Sequence, residues 1–215
     1  MEQRYGVDVA ATRLDDLDKK LLAAVATGVA RGWQPAVLDL GCGSGGLAAE
    51  LARAGAVVTA VDTVDCQAAI SARNTSLPKT AAPIDFIWSD ALTFCQQNTV
   101  VYDYVACQRT LHYLPYVEAV ALLEALKQST DQLYISVTGA ESEIGQVHPL
   151  RQAPLFERFA CVSTAAQAQF SLTAPLCVYT FAEFSALLLE TGWQIDTHWT
   201  SLFGNHKTIA TPRTD

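Results

Sequence analysis

A chain of 215 residues, half of them hydrophobic and only 17% charged, is long enough to bury one sizeable α/β core and too short for two comfortable domains. Its 22 acidic residues against 14 basic ones give a formal charge of -8, a field that repels a phosphate backbone and disfavours a nucleic-acid partner. The six cysteines, Cys42, Cys66, Cys95, Cys107, Cys161 and Cys177, form no CxxC pair and have no histidine at ligand spacing, so no metal is expected and they read as core thiols of a reducing compartment. The opening MEQRYGVDVA has no apolar centre of a signal peptide, and no apolar run reaches spanning length. A cytoplasmic protein without a membrane partner is expected.

Within residues 1–32, Leu14, Leu17, Leu21, Leu22 and Val25 share one helical face and predict a leading amphipathic helix. Residues 37–40, VLDL, then read as a short buried strand, followed by GCGSGG and by LAAELARAG at helical spacing. That is a strand, a phosphate-loop-like turn and a helix. Glycine admits positive φ and lets a ligand approach the main chain without meeting a Cβ, so four glycines in six positions point to a ligand lying on the turn; a plain βα turn is the alternative. Gly41, Gly43 and Gly46 also satisfy the dinucleotide pattern GxGxxG. Asp39, however, stands two positions before the first glycine, where it would repel a pyrophosphate and tolerate a ligand carrying an ammonium and a sulfonium.

Residues 47–53 continue that helix and Gly55 ends it. AVVTAVD reads as a second strand, apolar enough to be buried on both faces, and closes on Asp62. A carboxylate at that strand tip accepts from both hydroxyls of a ribose, or caps a helix starting near Val64. A helix over 65–74 and a third strand over 84–90 follow, placing Asp90 just past the strand end. Three acidic strand ends in succession, Asp39, Asp62 and Asp90, should fall on one edge of a parallel sheet.

DLGCGSG resembles motif I, DxGxGxG, of the class I S-adenosylmethionine-dependent methyltransferases, and YDYVACQRTLHYL resembles the fourth strand and exit loop FDxVxCxxxLHHL of their small-molecule members. The similarity, loosely to tellurite-resistance-type and biosynthetic small-molecule enzymes, runs over about residues 37–213. It implies a Rossmann-like α/β fold with helices on both faces of a mostly parallel seven-stranded sheet. The seventh strand would insert antiparallel between the fifth and sixth. It implies S-adenosylmethionine as cofactor, held by Asp39, Gly41, Cys42, Gly43 and Gly45 of motif I, by Asp62 and Thr63 at the ribose, and by Asp90 and the Ala91 amide at adenine. Cys107 and Gln108 would lie beneath the sulfonium and ribose, and Tyr5 would touch the methionine end; Tyr5 could equally pack, and capping of the following turn is the lesser alternative for Asp90. His112 and Tyr113 would face the cleft. The unperturbed pKa of histidine suits proton removal near neutrality, so His112 is the candidate catalytic base should the acceptor have to lose a proton during attack, with Tyr113 or His148 as alternative bases and a packing histidine as the alternative reading.

Residues 117–127 form a helix and 133–139 a fifth strand. The stretch 140–175 fits no regular repeat; its length, prolines and Phe156, Phe159 and Phe170 suggest an ordered substrate lid, with Tyr113, His148 and Arg151 as substrate-binding candidates. An ordinary solvated surface is the alternative for His148 and Arg151. Thr180 and Glu183 make a capping box, Gly192 a helix stop, and WQIDTHWTSL and HKTIATP two strands joined through FGN as an antiparallel hairpin. A dehydrogenase-type Rossmann sheet does not usually close in this way. The reading is one methyltransferase domain over 1–215 that moves a methyl group by in-line displacement to a small molecule, since QRTL stands where base- and glutamine-modifying members carry asparagine-proline-proline-tyrosine. A catalytically silent S-adenosylmethionine-binding protein and a nicotinamide-dependent oxidoreductase are the alternatives.

Overall fold

The computed structural model describes residues 14–213. Asp15 accepts from the amides of Leu17 (2.8 Å) and Asp18 (3.1 Å) while Asp18 accepts from the amide of Asp15 (2.7 Å), a reciprocal cap that opens helix α1, Asp16–Ala30. Leu17, Leu21 and Val25 are fully buried along one face of it, as the spacing predicts. The expectation for Tyr5 falls outside the described residues.

Strand and helix then alternate: β1 Ala36–Leu40, α2 Gly46–Arg53, β2 Val57–Asp62, α3 Gln67–Thr75, β3 Asp85–Trp88, α4 Ala91–Gln97 and β4 Tyr102–Gln108. Val37, Leu38 and Leu40 are fully buried, which suits a strand covered on both faces. β1 pairs in parallel with β2 (Leu40↔Val61) and with β4 (Asp39↔Ala106), and β2 with β3 (Asp62↔Trp88). The remaining elements are α5 Tyr116–Leu126, β5 Thr130–Thr138, α6 Glu143–Gln146, α7 Thr164–Phe170, α8 Phe181–Glu190, β6 Trp193–Thr200 and β7 Asn205–Pro212. The sheet has seven strands in the order β3-β2-β1-β4-β5-β7-β6, and β7 pairs antiparallel with β6. The expected insertion of the last strand between the fifth and sixth is therefore observed.

The chain forms two compact units. Among described residues, the first contains 14–106 and 129–134, and the second 107–128 and 135–213. In the second unit the stretch 140–175 carries α6, a 3-10 turn at Leu155–Glu157 and α7, and has a small core of its own. Ala140, Val162, Ala166, Leu172, Leu176 and Val178 are buried together, with Tyr113, Ile144 and Phe170 packed against them. Phe156, by contrast, is 66% exposed and contributes little to that order. Thr180 caps α8 by accepting from the Glu183 amide (3.2 Å) while Glu183 accepts from the Thr180 amide (2.8 Å). All six cysteines are thiols; five are buried, and Cys161 is exposed rather than in the core.

Candidate functional site

In the first unit the turn after β1 is held in a conformation that demands glycine. Gly41, Gly43 and Gly45 have φ of 73°, 52° and 73°, the left-handed region in which an L side chain is strained. The amides of Gly41 and Cys42 both donate to the Val61 carbonyl, at 2.8 and 3.1 Å, which sets the turn over the end of β2. Behind it, Arg73 Nε donates to the Ser44 carbonyl (3.3 Å), and a Cβ on Gly45 would come within 2.2 Å of Ile70 Cδ1. The Cys42 thiol is buried and lies 3.6 Å from the Gly43 carbonyl.

Asp62 ties this turn to the second strand. Its Oδ2 accepts from the Gly43 amide and its Oδ1 from the Val64 amide, each at 2.8 Å. A carboxylate has about four acceptor sites, so two backbone bonds leave each oxygen with capacity for a further donor. The alternative of a helix cap at Asp62 is corrected: α3 begins at Gln67, and Asp62 braces the loop instead.

Parallel pairing of β1, β2 and β3 sets their C-terminal ends on one edge of the sheet, and with them Asp39, Asp62 and Asp90. Asp39 is buried, opposite Ala60 and so one rung below Asp62 on the same side of the strand alternation. Asp90 is exposed and caps α4, accepting from the Thr93 amide at 2.8 Å. Burial pushes its pKa up, but the hydrogen bonds from Thr93 and nearby amides outweigh this and hold the carboxyl below its ordinary value. Ala91 is the first residue of that helix. Thr63 is exposed, and its carbonyl accepts from Trp88 Nε1 at 3.0 Å. Trp88, beside Asp62 in the register and 66% exposed, was not anticipated; a large exposed aromatic closing a strand next to an acidic strand tip is the signal that could have found it.

In the second unit, Cys107 and Gln108 end β4, the first buried and the second partly so. Tyr113 and His112 lie in a 3-10 turn, Leu111–Tyr113, their rings 4.3 Å apart. The expectation that His112 titrates near neutrality is corrected. It is 3% exposed, and burial, with the Arg109 charge adding to it, lowers its pKa to about 3. Burial likewise raises the Tyr113 hydroxyl to about 12. A neutral imidazole that holds its conjugate acid so weakly accepts a hydrogen bond but is a poor proton sink.

Arg109, which the sequence reading passed over, has φ of 53° although it is not glycine. Its amide donates to the carbonyl (3.0 Å) and Oγ (3.2 Å) of Ser136. His148 is buried, with Nε2 3.0 Å from the Leu176 carbonyl and Nδ1 accepting from the Leu150 amide at 3.3 Å. Those bonds assign the proton to Nε2 and commit both nitrogens to the chain, so His148 locks this segment rather than presenting a ring nitrogen to a ligand. Arg151 is partly exposed and 4.0 Å from the Glu141 carboxylate.

All four histidines sit below their ordinary pKa of 6.5, burial being the first cause in each: His112 at about 3, His198 at about 4, His148 and His206 also lowered. The unfolded chain therefore binds protons between pH 6.5 and 4 that the folded chain excludes, and stability falls as pH falls through that window. The slope is about 1.4 kcal/mol per pH unit for each proton excluded. Denaturant unfolding at pH 7.5 and 5 should show this loss, and His112→Gln should flatten it. A stability independent of pH over that range would contradict the buried, neutral placement.

Among described residues no cluster of three or more metal-ligating side chains occurs, and no helix is long and apolar enough to cross a membrane.

Residues 37–132 match the family model for the methyltransferase domain. Over 79 residues the chain is 39% identical to the ubiquinone biosynthesis O-methyltransferase of Vibrio atlanticus (strain LGP32), a stretch covering 37% of this chain and 32% of that protein. The match thus spans about a third of the length of that curated relative. Among solved structures, the magnesium protoporphyrin IX methyltransferase of Synechocystis PCC 6803 with bound S-adenosylhomocysteine superposes over 94% of this chain and 89% of its own, with a TM-score of 0.64 at 21% identity. An S-adenosylmethionine-dependent methyltransferase from Clostridium acetobutylicum ATCC 824 gives 0.67 over 96% and 95% at 10% identity. The 1,6-didemethyltoxoflavin-N1-methyltransferase of Burkholderia thailandensis, with bound 1,6-didemethyltoxoflavin and S-adenosylhomocysteine, gives 0.63 over 93% and 79% at 17% identity. At these identities the likeness is one of fold.

Proposed function

We propose, from the premise that this chain has the fold of the class I S-adenosylmethionine-dependent methyltransferases and the sequence of a methyltransferase domain over 37–132, that it transfers a methyl group to a small-molecule acceptor. The observation that carries the proposal is Asp62: a carboxylate at a strand tip, braced by the Gly43 and Val64 amides and with acceptor capacity to spare. S-adenosylmethionine, when bound, supplies a methyl group on a sulfonium, already an activated leaving group.

The chain's own residues fit that donor. Asp62 would accept from the ribose hydroxyls, and the left-handed Gly41 and Gly43 carry no Cβ where the main chain would meet the ligand. Asp90 and the Ala91 amide would serve the adenine edge, with the exposed Trp88 indole offering a ring face beside them. Asp39 complements the positive charge of the donor and would repel a pyrophosphate. Catalysis then depends on orientation and exclusion of water, which in favourable systems supplies roughly 7–11 kcal/mol. His112 is buried with its pKa lowered, which suits an acceptor that would arrive ionised or lose its proton after transfer.

A small-molecule acceptor suits the net charge of -8, and the buried thiols suit a cytoplasmic setting. The test is incubation with S-adenosylmethionine labelled in the methyl group and separate low-mass, nucleic-acid and protein fractions. Label is expected in the low-mass fraction. Binding of S-adenosylhomocysteine with label in none of the three would instead identify a silent cofactor-binding protein.

A further inference from the structure

The turn that leaves β4 contains an arrangement the donor site does not use. Arg109 is half-buried and its Nε is fully enclosed, yet among described residues that Nε has no hydrogen-bond partner and the guanidinium makes no ion pair. Three residues on, His112 Nδ1 is also enclosed without a partner among them. The backbone that carries both groups is fixed. The Arg109 backbone is held left-handed by its two bonds to Ser136, and the His112 carbonyl accepts from the Cys177 amide at 2.8 Å. A strained backbone at a non-glycine residue that places a cation in partly desolvated surroundings, and that caps no helix as the left-handed Ser171 does, belongs to a class that clusters at ligand sites.

We infer that Arg109 and His112 form the recognition site for a carboxylate on the methyl acceptor, which is therefore a small organic acid. The inference rests on the methyltransferase reading above and names its substrate class. A guanidinium presents its Nε–H and one terminal N–H as a planar fork that matches the two oxygens of a carboxylate. A carboxylate there would satisfy the enclosed Nε and neutralise a charge that is costly when half-buried and alone. The neutral His112 ring, packed on Tyr113, offers its enclosed nitrogen to a second polar group of the same acceptor, such as a neighbouring hydroxyl. One guanidinium answers a single negative charge and leaves a phosphate dianion half-compensated, which favours the carboxylate.

The test uses benzoate and salicylate, their neutral amides and phenyl phosphate as probes, with S-adenosylhomocysteine present. Binding is followed through the His112 ring protons in NMR, assigned by their absence in His112→Gln. The acids should bind and move these signals and the amides should not, and Arg109→Gly should weaken the acids by at least tenfold or so, the loss of a charged hydrogen-bond pair. Glycine suits the left-handed backbone, so this variant should unfold no earlier than the parent. Equal binding of acids and amides, preference for phenyl phosphate, undiminished binding to Arg109→Gly, or no acid binding at all would each overturn the inference. Acid binding at Arg109 in a protein that does not take up S-adenosylhomocysteine would overturn the methyl-donor reading and leave the anion site standing.

Discussion

Asp62→Ala should lower the affinity for S-adenosylhomocysteine by about a hundredfold or more, the largest effect expected of any single change in the first unit. Each hydrogen bond to a charged group is worth roughly 1.5–3 kcal/mol, and two ribose hydroxyls would lose theirs. At about 1.4 kcal/mol per decade this exceeds two orders of magnitude. The same substitution strips the Gly43 and Val64 amides of their acceptor, so the glycine turn loses its side-chain tie to β2 and keeps only the two backbone bonds to Val61. Asp62→Asn is informative beside it: one of its two polar atoms becomes a donor and cannot accept from either amide, so it should behave much more like alanine than like aspartate. Calorimetric titration of the two variants provides the measure. Affinity unchanged in Asp62→Ala would remove the ribose assignment.

Arg158→Met should cost the most stability. Arg158 is 4% exposed and all five of its N–H groups are used. Nε and Nη2 donate to the Ala153 carbonyl (3.1 and 2.7 Å), Nη1 to the Val178 carbonyl (2.8 Å), and both terminal nitrogens to Glu183 (2.7 and 2.8 Å). Glu183 also closes the cap of α8, so one residue of the 140–175 stretch is pinned both to its own backbone and to the start of that helix. Removing one member of a buried ion pair costs roughly 3–5 kcal/mol; Glu183 keeps 30% of its side chain in solvent, which places the expectation near the lower figure. For a chain of this size that is a fall of roughly 6–12 °C in the unfolding midpoint. Arg158→Met combined with Glu183→Gln should be less destabilised than the sum of the two single changes, because the orphaned carboxylate is gone. Additive losses would mean that the pair does not hold the segment.

What was legible in the sequence is what local chemistry forces. Alternating glycines in left-handed geometry, acidic residues at three strand tips and the Thr180–Glu183 box each announce themselves within a few residues, and the antiparallel hairpin follows from the short FGN connection. Helix α4 was missed because its seven residues bury only Cys95 and so carry no apolar stripe. His148 reads as a substrate contact or a solvated surface group and Arg158 draws no reading at all, because only tertiary packing shows that each is buried on backbone carbonyls distant in the chain. The same holds for His112: burial and the nearby Arg109 charge, neither visible in a linear chain, move its titration out of the neutral range. Arg109 itself was hidden because nothing in QRTL signals a left-handed arginine.

The central claim is that the glycine turn and its acidic rim cradle a methyl donor rather than a dinucleotide. Calorimetry of the intact chain with S-adenosylhomocysteine and, separately, with NAD tests this directly. Micromolar binding of S-adenosylhomocysteine and none of NAD is the predicted result; retention of NAD with no uptake of S-adenosylhomocysteine would contradict the account.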